Sequence, residues 1–274
     1  MIHERAHAKV NLVLHVGRPR ADGMHPLCSL FSSIDLADDV VVAPAERDEV
    51  SCAGVGPGNL AERALAEFRE EVGQAAGAMS VRIEKRIPIA AGLGGGSADA
   101  AAVLRAANAL AGEPLDLEGL RALATRLGSD VPGQLRPGHA LVTGTGELVE
   151  AVRLPPLALV LLPGHGLSTA AVYAELDRLG AGRDELDPEP LRLLATGTLP
   201  ELAAGIENDL ERASLSLRPD RQAALGRLRE AGALGAAISG SGPTAFGLFR
   251  SSPEAARAAS EIEGALVAHA HEAS

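Results

Sequence analysis

The spacing of apolar and polar positions changes period several times along the chain. Residues 9–16 and 40–43 are dense in aliphatic side chains and read as strands, with an arginine- and glycine-bearing connection over 17–23 between them. From Asn59 the period becomes helical. Leu60, Ala64, Leu65, Phe68 and Val72 keep one stripe, and Asn59 with Glu62 three residues on has the form of a capping box. Val81 and Ile83 then alternate with Arg82 and Glu84, the pattern of a half-buried strand. That strand runs through a glycine-rich stretch into an alanine-rich helix predicted over 98–111, closed by Gly112 and Pro114. Asp116 opens another helix, in which Leu117, Leu120, Leu123, Ala124 and Leu127 share a face and which Gly128 ends. Strands over 139–143 and 147–152 follow, joined by a Gly144-Thr145-Gly146 turn.

Pro155-Pro156 breaks the sheet pattern just before a new hydrophobic run and is the predicted boundary between domains 1–154 and 155–274. The second half reads as strand 157–162, helix 168–179, a helical middle region, helix 221–231, strand 234–238, a glycine-rich turn, strand 244–249 and a last helix started at Ser252-Pro253. Strands and helices interleaved in both halves predict an α+β fold.

Composition narrows the picture. The chain has 274 residues, enough to bury a sizeable core, and 46 % are apolar, yet its aromatics are four Phe and one Tyr. The core is therefore expected to be aliphatic, and a stacking platform for a ligand must come from a very short list. The net charge of −11 argues against nucleic-acid backbones and anionic membranes as partners, since both demand basic patches. Lys9 and Lys85 are the only lysines. Cys28 and Cys52 show no metal or disulfide spacing and read as buried thiols in a reducing compartment, with no metal site expected. His269 and His271 read as solvated ends of a polar tail. Asn11 and His15 interrupt the first apolar stretch, and the longest apolar run, near 157–162, is far too short to span a bilayer. A soluble, cytoplasmic protein is expected.

The strongest chemical signal is the run Gly92-Leu93-Gly94-Gly95-Gly96-Ser97 at a helix start. Glycines there let backbone N–H groups face a concavity, and the helix N-terminus adds unpaired donors and the positive end of a dipole, which suits a polyphosphate. The Gly-Lys-Ser/Thr ending of a Walker A loop is absent. A dinucleotide-binding reading would use Asp116 as the ribose ligand, but Asp116 has the character of a helix cap and Ser97 stands at the third glycine position. A glycine-rich turn serving only close packing is the bland alternative.

The stretch Pro88, Ile89, Ala90, Ala91, Gly92, Leu93, Gly94, Gly95, Gly96, Ser97, Ala98 closely resembles the phosphate-binding motif of the GHMP kinase superfamily. Ala8-Lys9-Val10-Asn11-Leu12 and Ser239-Gly240-Ser241-Gly242-Pro243 resemble the superfamily's other two motifs, in the same order. Within it, the segments Arg20-Ala21-Asp22-Gly23-Met24-His25, Gly128-Ser129-Asp130-Val131-Pro132, Leu167-Ser168-Thr169 with Tyr173, and Glu207-Asn208-Asp209-Leu210 resemble the branch that acts on a cytidyl-diphospho sugar alcohol. The resemblance implies a two-domain α+β fold, an N-terminal domain like ribosomal protein S5 domain 2 and a ferredoxin-like C-terminal domain, with ATP and substrate between them.

The same resemblance implies roles. Asp130 is implied as the carboxylate that takes the proton of an attacking hydroxyl, against the alternative of an N-cap for the next turn. Lys9, mid-strand among apolar neighbours, is implied as its positive partner, against a solvent-side residue; a buried lysine is costly unless paired. Asn11 lies on the same strand face by the period of two. Tyr173 is implied as a platform for cytosine and His25 as its hydrogen-bond partner, against a core role for the tyrosine beside Leu176. Thr169 is a further substrate residue, and Asn59 belongs to a segment near the adenine. The Ser239, Gly240, Ser241, Gly242 turn is implied to support the phosphate loop, against an ordinary hairpin connection. Met24 stands where the family has tyrosine, and Gly133-Gln134 replace residues that are usually apolar or aromatic. ATP and Mg²⁺ are the implied cofactors, a small cytidyl-diphospho sugar alcohol the substrate, and a monomer or weak homodimer the assembly. A kinase of the same superfamily for another small alcohol, and a catalytically silent nucleotide-binding protein, stand as alternatives.

Overall fold

The structure is a computed structural model in which residues 1–164 and 166–271 are described. In chain order, β1 (Ile2–Val16), β2 (Leu27–Pro44) and β3 (Glu49–Cys52) precede α1 (Leu60–Val72) and β4 (Met79–Glu84). The glycine-rich stretch then enters α2 (Gly95–Leu110), followed by α3 (Leu117–Leu127), a single turn α4 (Val131–Gln134), β5 (His139–Thr143), β6 (Leu148–Ala151) and β7 (Ala158–Leu162). The remainder is α5 (Thr169–Leu179), α6 (Glu189–Ala195), α7 (Leu199–Ala204), β8 (Glu207–Asn208), α8 (Glu211–Leu217), α9 (Arg221–Glu230), β9 (Gly235–Ile238), β10 (Ala245–Phe249), α10 (Ser252–Glu261) and β11 (Leu266–His269).

Compactness divides the chain into one unit of residues 1–8, 36–89 and 94–137 and another of 9–35, 90–93 and 138 onward. This division does not fall at Pro155-Pro156. The reason is that β1 and β2 are long strands, each of which gives one segment to each unit.

In the first unit, β2 pairs antiparallel with β4 from Asp39 opposite Glu84 to Pro44 opposite Met79, and β4 pairs parallel with β3. Val40, Val42, Val81 and Ile83 from these strands meet Leu65 and Phe68 of α1, Val103 and Leu104 of α2, and Leu123 and Leu127 of α3. α2 is alanine-rich and buried around most of its circumference, because small side chains let neighbouring elements approach it closely. Asn59 caps α1 and Asp116 caps α3 as their positions predict, each side chain accepting from first-turn N–H groups. α2 begins at Gly95, three residues before its predicted start, so Gly95, Gly96 and Ser97 belong to its first turn.

In the second unit, β1 pairs parallel with β8, Val13 opposite Glu207, while β2 pairs antiparallel with β5 and β5 with β6. A separate antiparallel sheet has the order β11-β7-β10-β9. β7 and β10 are buried at every position, which accounts for their unbroken apolar runs. α9 and α10 contribute Leu225, Leu228, Ala255 and Ala258 to a core with Val160, Ile238 and Phe249.

The structure corrects two sequence readings here. β2 spans 18 residues although only 40–43 carry a clean strand pattern, because Ser29, Ser32, Ser33 and Asp38 are polar yet buried. His269 is not a solvated end: it closes β11 opposite Ala158, its N–H donates to Asp35 Oδ1 at 2.9 Å, and its Nδ1 lies 3.1 Å from Asp35 Oδ2. The His271 N–H likewise donates to Ser33 O at 2.9 Å. Cys28 is buried but Cys52 only half-buried, and both are free thiols. No helix among the described residues is long and apolar enough to cross a membrane.

Candidate active site

The glycine-rich stretch owes its form to three left-handed residues in alternation: Ala90 (φ 51°), Gly92 (φ 76°) and Gly94 (φ 69°). Alternating hands turn successive N–H groups toward one side, the arrangement of an anion nest. Gly94 is the N-cap of α2 and brings no side chain to it, so the first-turn N–H groups of Gly95, Gly96 and Ser97 have no side-chain cap from that position. Asp130 follows Gly128, the C-cap of α3, and stands at the N-cap position of α4 without making a capping hydrogen bond. The capping alternative for Asp130 is thus met in position but not in side-chain bonding. Gln134, one helical turn on, is buried with both side-chain amide atoms lacking a protein hydrogen-bond partner.

Beneath α2 lies a buried ionic group that sequence reading missed. Lys85 Nζ donates to Asp38 Oδ2 and to Asp99 Oδ2, both at 2.6 Å. Asp38 Oδ1 also accepts from the N–H groups of Arg86 (2.5 Å) and Ile87 (2.8 Å), so one carboxylate fastens the chain just before the loop while Asp99 fastens the helix just after it. Burial pushes the Asp99 carboxyl up to about 7, the Lys85 ammonium pulling the other way and the Asp38 charge adding to the rise. Burial works to lower Lys85, but the two carboxylates outweigh it and hold the ammonium above its usual range. The only visible signal in the sequence was the rarity of lysine. Asn59 is placed as the α1 cap: its Oδ1 accepts from Ala61 and Glu62, and its Nδ2 donates to Glu62 Oε1 at 2.8 Å.

In the second unit, Lys9 is 4 % exposed, which rules out the solvent-side reading. Its Nζ donates to Asn11 Oδ1, so the pair predicted to share a strand face does so. Asn11 Nδ2 donates to Ser29 Oγ at 2.8 Å, and the Asn11 N–H donates to Ser239 Oγ at 3.4 Å. Ser239 Oγ in turn donates to Gly92 O at 3.0 Å, and the Thr244 N–H donates to Ala91 O at 3.2 Å. The Ser239–Gly242 turn joins β9 to β10, yet it also packs on residues 91–93: a Cβ on Gly92 would lie 2.5 Å from Ser239 O and 2.7 Å from Gly242 O. Thr169 Oγ1 lies 3.0 Å from Ser241 Oγ.

Asn208 was quoted in a motif but given no role; the structure supplies one. Its Nδ2 donates to Ile238 O (2.7 Å) and Gly240 O (2.8 Å), while its Oδ1 accepts from Leu210 N (2.9 Å), which holds the turn from below. Tyr173, on α5, is half-buried, and its ring centroid is 4.9 Å from that of His25 at an interplanar angle of 53°. Met24 is 48 % exposed.

Comparison with known proteins places the chain in a family. The family model described as GHMP kinases N terminal domain matches residues 59–138, and that described as GHMP kinases C terminal matches residues 191–268. The 4-diphosphocytidyl-2-C-methyl-D-erythritol kinase of Anaeromyxobacter dehalogenans is 45 % identical over 270 residues, covering 94 % of this chain and 84 % of the relative. The chain belongs to the GHMP kinase family, among the 4-diphosphocytidyl-2-C-methyl-D-erythritol kinases. The kinase of that name from Mycolicibacterium smegmatis is 44 % identical over 280 residues, covering 96 % of this chain and 86 % of the relative. A crystal structure of 4-(cytidine 5'-diphospho)-2C-methyl-D-erythritol kinase superposes with a TM-score of 0.80 at 38 % identity, covering 98 % of both chains. Homoserine kinase from Cytophaga hutchinsonii, at 19 % identity and a TM-score of 0.69 over 97 % of this chain and 95 % of its own, shares the fold. The expected two-domain GHMP kinase fold of mixed α and β content and the use of ATP follow from this membership.

Proposed function

We propose that the chain transfers the γ-phosphoryl group of ATP to the 2-hydroxyl of 4-diphosphocytidyl-2-C-methyl-D-erythritol, a step in non-mevalonate isoprenoid precursor synthesis. The names of its relatives support the substrate. The observation that carries phosphoryl transfer is the left-handed alternation at residues 90, 92 and 94 running into the uncapped first turn of α2. Backbone N–H groups and a helix N-terminus hold phosphate oxygens without a side-chain charge. Phosphoryl transfer passes through a loose transition state, so the protein mainly positions the reactants and stabilises charge. In this reading the Asp130 carboxylate orients the hydroxyl and accepts its proton late in the reaction, and the Lys9 ammonium, steadied by Asn11, offsets the negative charge that develops. Tyr173 stacks on the cytosine, His25 hydrogen-bonds it, and Met24 replaces a second ring with a polarizable chain.

Mg²⁺ belongs to the proposal. Among the described residues no group of three His, Cys, Asp or Glu side chains could hold a metal ion. In this reading the ion would arrive on the phosphates of ATP and neutralise their charge, and the Ser97 hydroxyl in the first turn of α2 would be the side-chain oxygen at the loop that could hold it.

The test is incubation with Mg-ATP and a panel of the cytidyl methylerythritol, mevalonate, phosphomevalonate and homoserine, followed by ³¹P NMR. Transfer to the first alone is expected; transfer to none of them, with ATP still bound, refutes the enzyme reading. Asp130→Asn should retain ATP binding and lose on the order of 10²–10⁴ in turnover.

A further inference from the structure

His25 Nε2 lies 2.9 Å from Asp177 Oδ1, and no function has been attached to that contact. The two residues are 152 positions apart, so the pairing is made by the fold. Asp177 stands four residues after Tyr173 on α5, and positions i and i+4 share a helix face. One face of α5 thus carries both the ring beside His25 and the carboxylate that holds it. The His25 side chain is 8 % exposed while that of Asp177 is 41 % exposed, so the imidazole is enclosed and its partner reaches in from the rim.

We infer that Asp177 is a positioning residue that fixes the tautomer of His25 and thereby the preference for cytosine over uracil. This rests on the reading of His25 as the base contact. An ionised carboxylate only accepts hydrogen bonds, so the proton between the two groups sits on His25 Nε2. When the imidazole carries that one proton alone, Nδ1 is an acceptor, because the partner of one ring nitrogen sets the state of the other. An acceptor at Nδ1 matches the exocyclic amine of cytosine. Uracil carries a carbonyl at the same ring position and would place two acceptors face to face. Sites that pair a buried polar group with a substrate N–H reject the analogue lacking it far more strongly than apolar pockets reject a missing methylene. The His25 and Tyr173 rings are tilted by 53°, so a base stacked on the tyrosine would not lie parallel to the imidazole.

The experiment uses Asp177→Ala in the full chain, with the cytidyl and uridyl diphospho-methylerythritols as paired substrates. KM for the cytidyl substrate should rise about tenfold, with kcat and the KM for ATP within twofold and the melting temperature unchanged. The cytidyl-to-uridyl ratio of kcat/KM should fall by tenfold or more. An unchanged ratio, including equal loss on both substrates, overturns the inference. A second readout needs no turnover: long-range ¹H–¹⁵N spectra of the imidazole should show a single Nε2–H form in the wild type and a mixture in Asp177→Ala. Identical spectra also overturn it. If the wild type turns over neither substrate while its spectrum shows the fixed tautomer, the functional reading has failed and the positioning role of Asp177 stands.

Discussion

Adding a single methyl group separates the two kinds of glycine in the phosphate loop. At Gly92 the backbone is left-handed, with φ of 76°, which costs a residue carrying Cβ about 1–2 kcal/mol. The new Cβ would also meet Ser239 O at 2.5 Å, Gly242 O at 2.7 Å and Gly242 C at 2.9 Å, all of them backbone atoms. Close carbon–oxygen contacts lie at about 3.3 Å or more, so the loop and the turn must separate by roughly 0.6–0.8 Å. Overpacking of that kind adds about 1–3 kcal/mol, for a total loss near 2–5 kcal/mol. A fall in melting temperature of about 4–20 °C follows at about 2–4 °C per kcal/mol. Because a misplacement of 1 Å costs a positioned reaction about a hundredfold, a shift of this size should lower kcat/KM for ATP by roughly 15- to 40-fold. Gly96→Ala is the control. It lies in the first turn of α2, and its Cβ would find nothing nearer than Leu60 Cδ1 at 3.7 Å. It should melt no lower than wild type, since Ala favours a helix over Gly by about 1 kcal/mol. A coupled ADP-release assay and a thermal melt on both variants decide the matter. Wild-type kinetics and melting in Gly92→Ala would refute the steric reasoning.

Three further outcomes are expected. Asp99, pushed up to about 7, holds its proton in the folded state over a pH range where the unfolded carboxyl has lost it. Its contribution is therefore present below about pH 4 and lost as pH rises through 7, so Asp99→Asn should flatten the melting temperature between those limits; an unaltered slope would remove Asp99 as its source. Met24→Tyr should lower KM for the cytidyl substrate by giving the base a second flat face, and a KM unchanged or raised counts against stacking at this position. Burial pushes the Cys28 thiol up to about 11 and also raises Cys52, but Cys52 is only half-buried, so iodoacetamide at pH 8 should label Cys52 first, as read by peptide mass spectrometry; prior labelling of Cys28 would contradict the burial assigned to it.

What could be read ahead of the structure was local chemistry. Asn59, Asp116 and Ser168 mark helix starts because a cap acts within three residues of itself, and Lys9 with Asn11 follow from the period of two. β2 was mostly hidden because a buried serine looks like a surface serine in one dimension: Ser29 is buried only because Asn11 and Val13 O supply its hydrogen bonds. The Asp38–Lys85–Asp99 group was hidden by distance, its outer members lying 47 and 14 residues from the lysine. Asn208 sat in a recognised motif, but its work on the Ser239–Gly242 turn depends on β8 reaching β1, a pairing of two residues that no periodicity announces. The exchange of tyrosine for Met24 was visible, whereas the carboxylate holding its neighbour His25 was not.

The passage of β1 and β2 through both units also governs the order in which the protein can form. The first unit has all its residues once position 137 has been synthesised. The second begins at Lys9 but depends on partners far downstream: the Val16 N–H donates to Asp209, 193 residues later, and Val13 pairs with Glu207. At a synthesis rate of about 5–20 residues per second, that gap lasts roughly 10–40 s. For that time the apolar strand that bears Lys9 and Asn11 has one ribbon edge without its native neighbour. The nascent chain, more than the finished enzyme, is where this molecule is exposed to aggregation, and a chaperone that shields residues 9–16 would act on the strand that carries its chemistry.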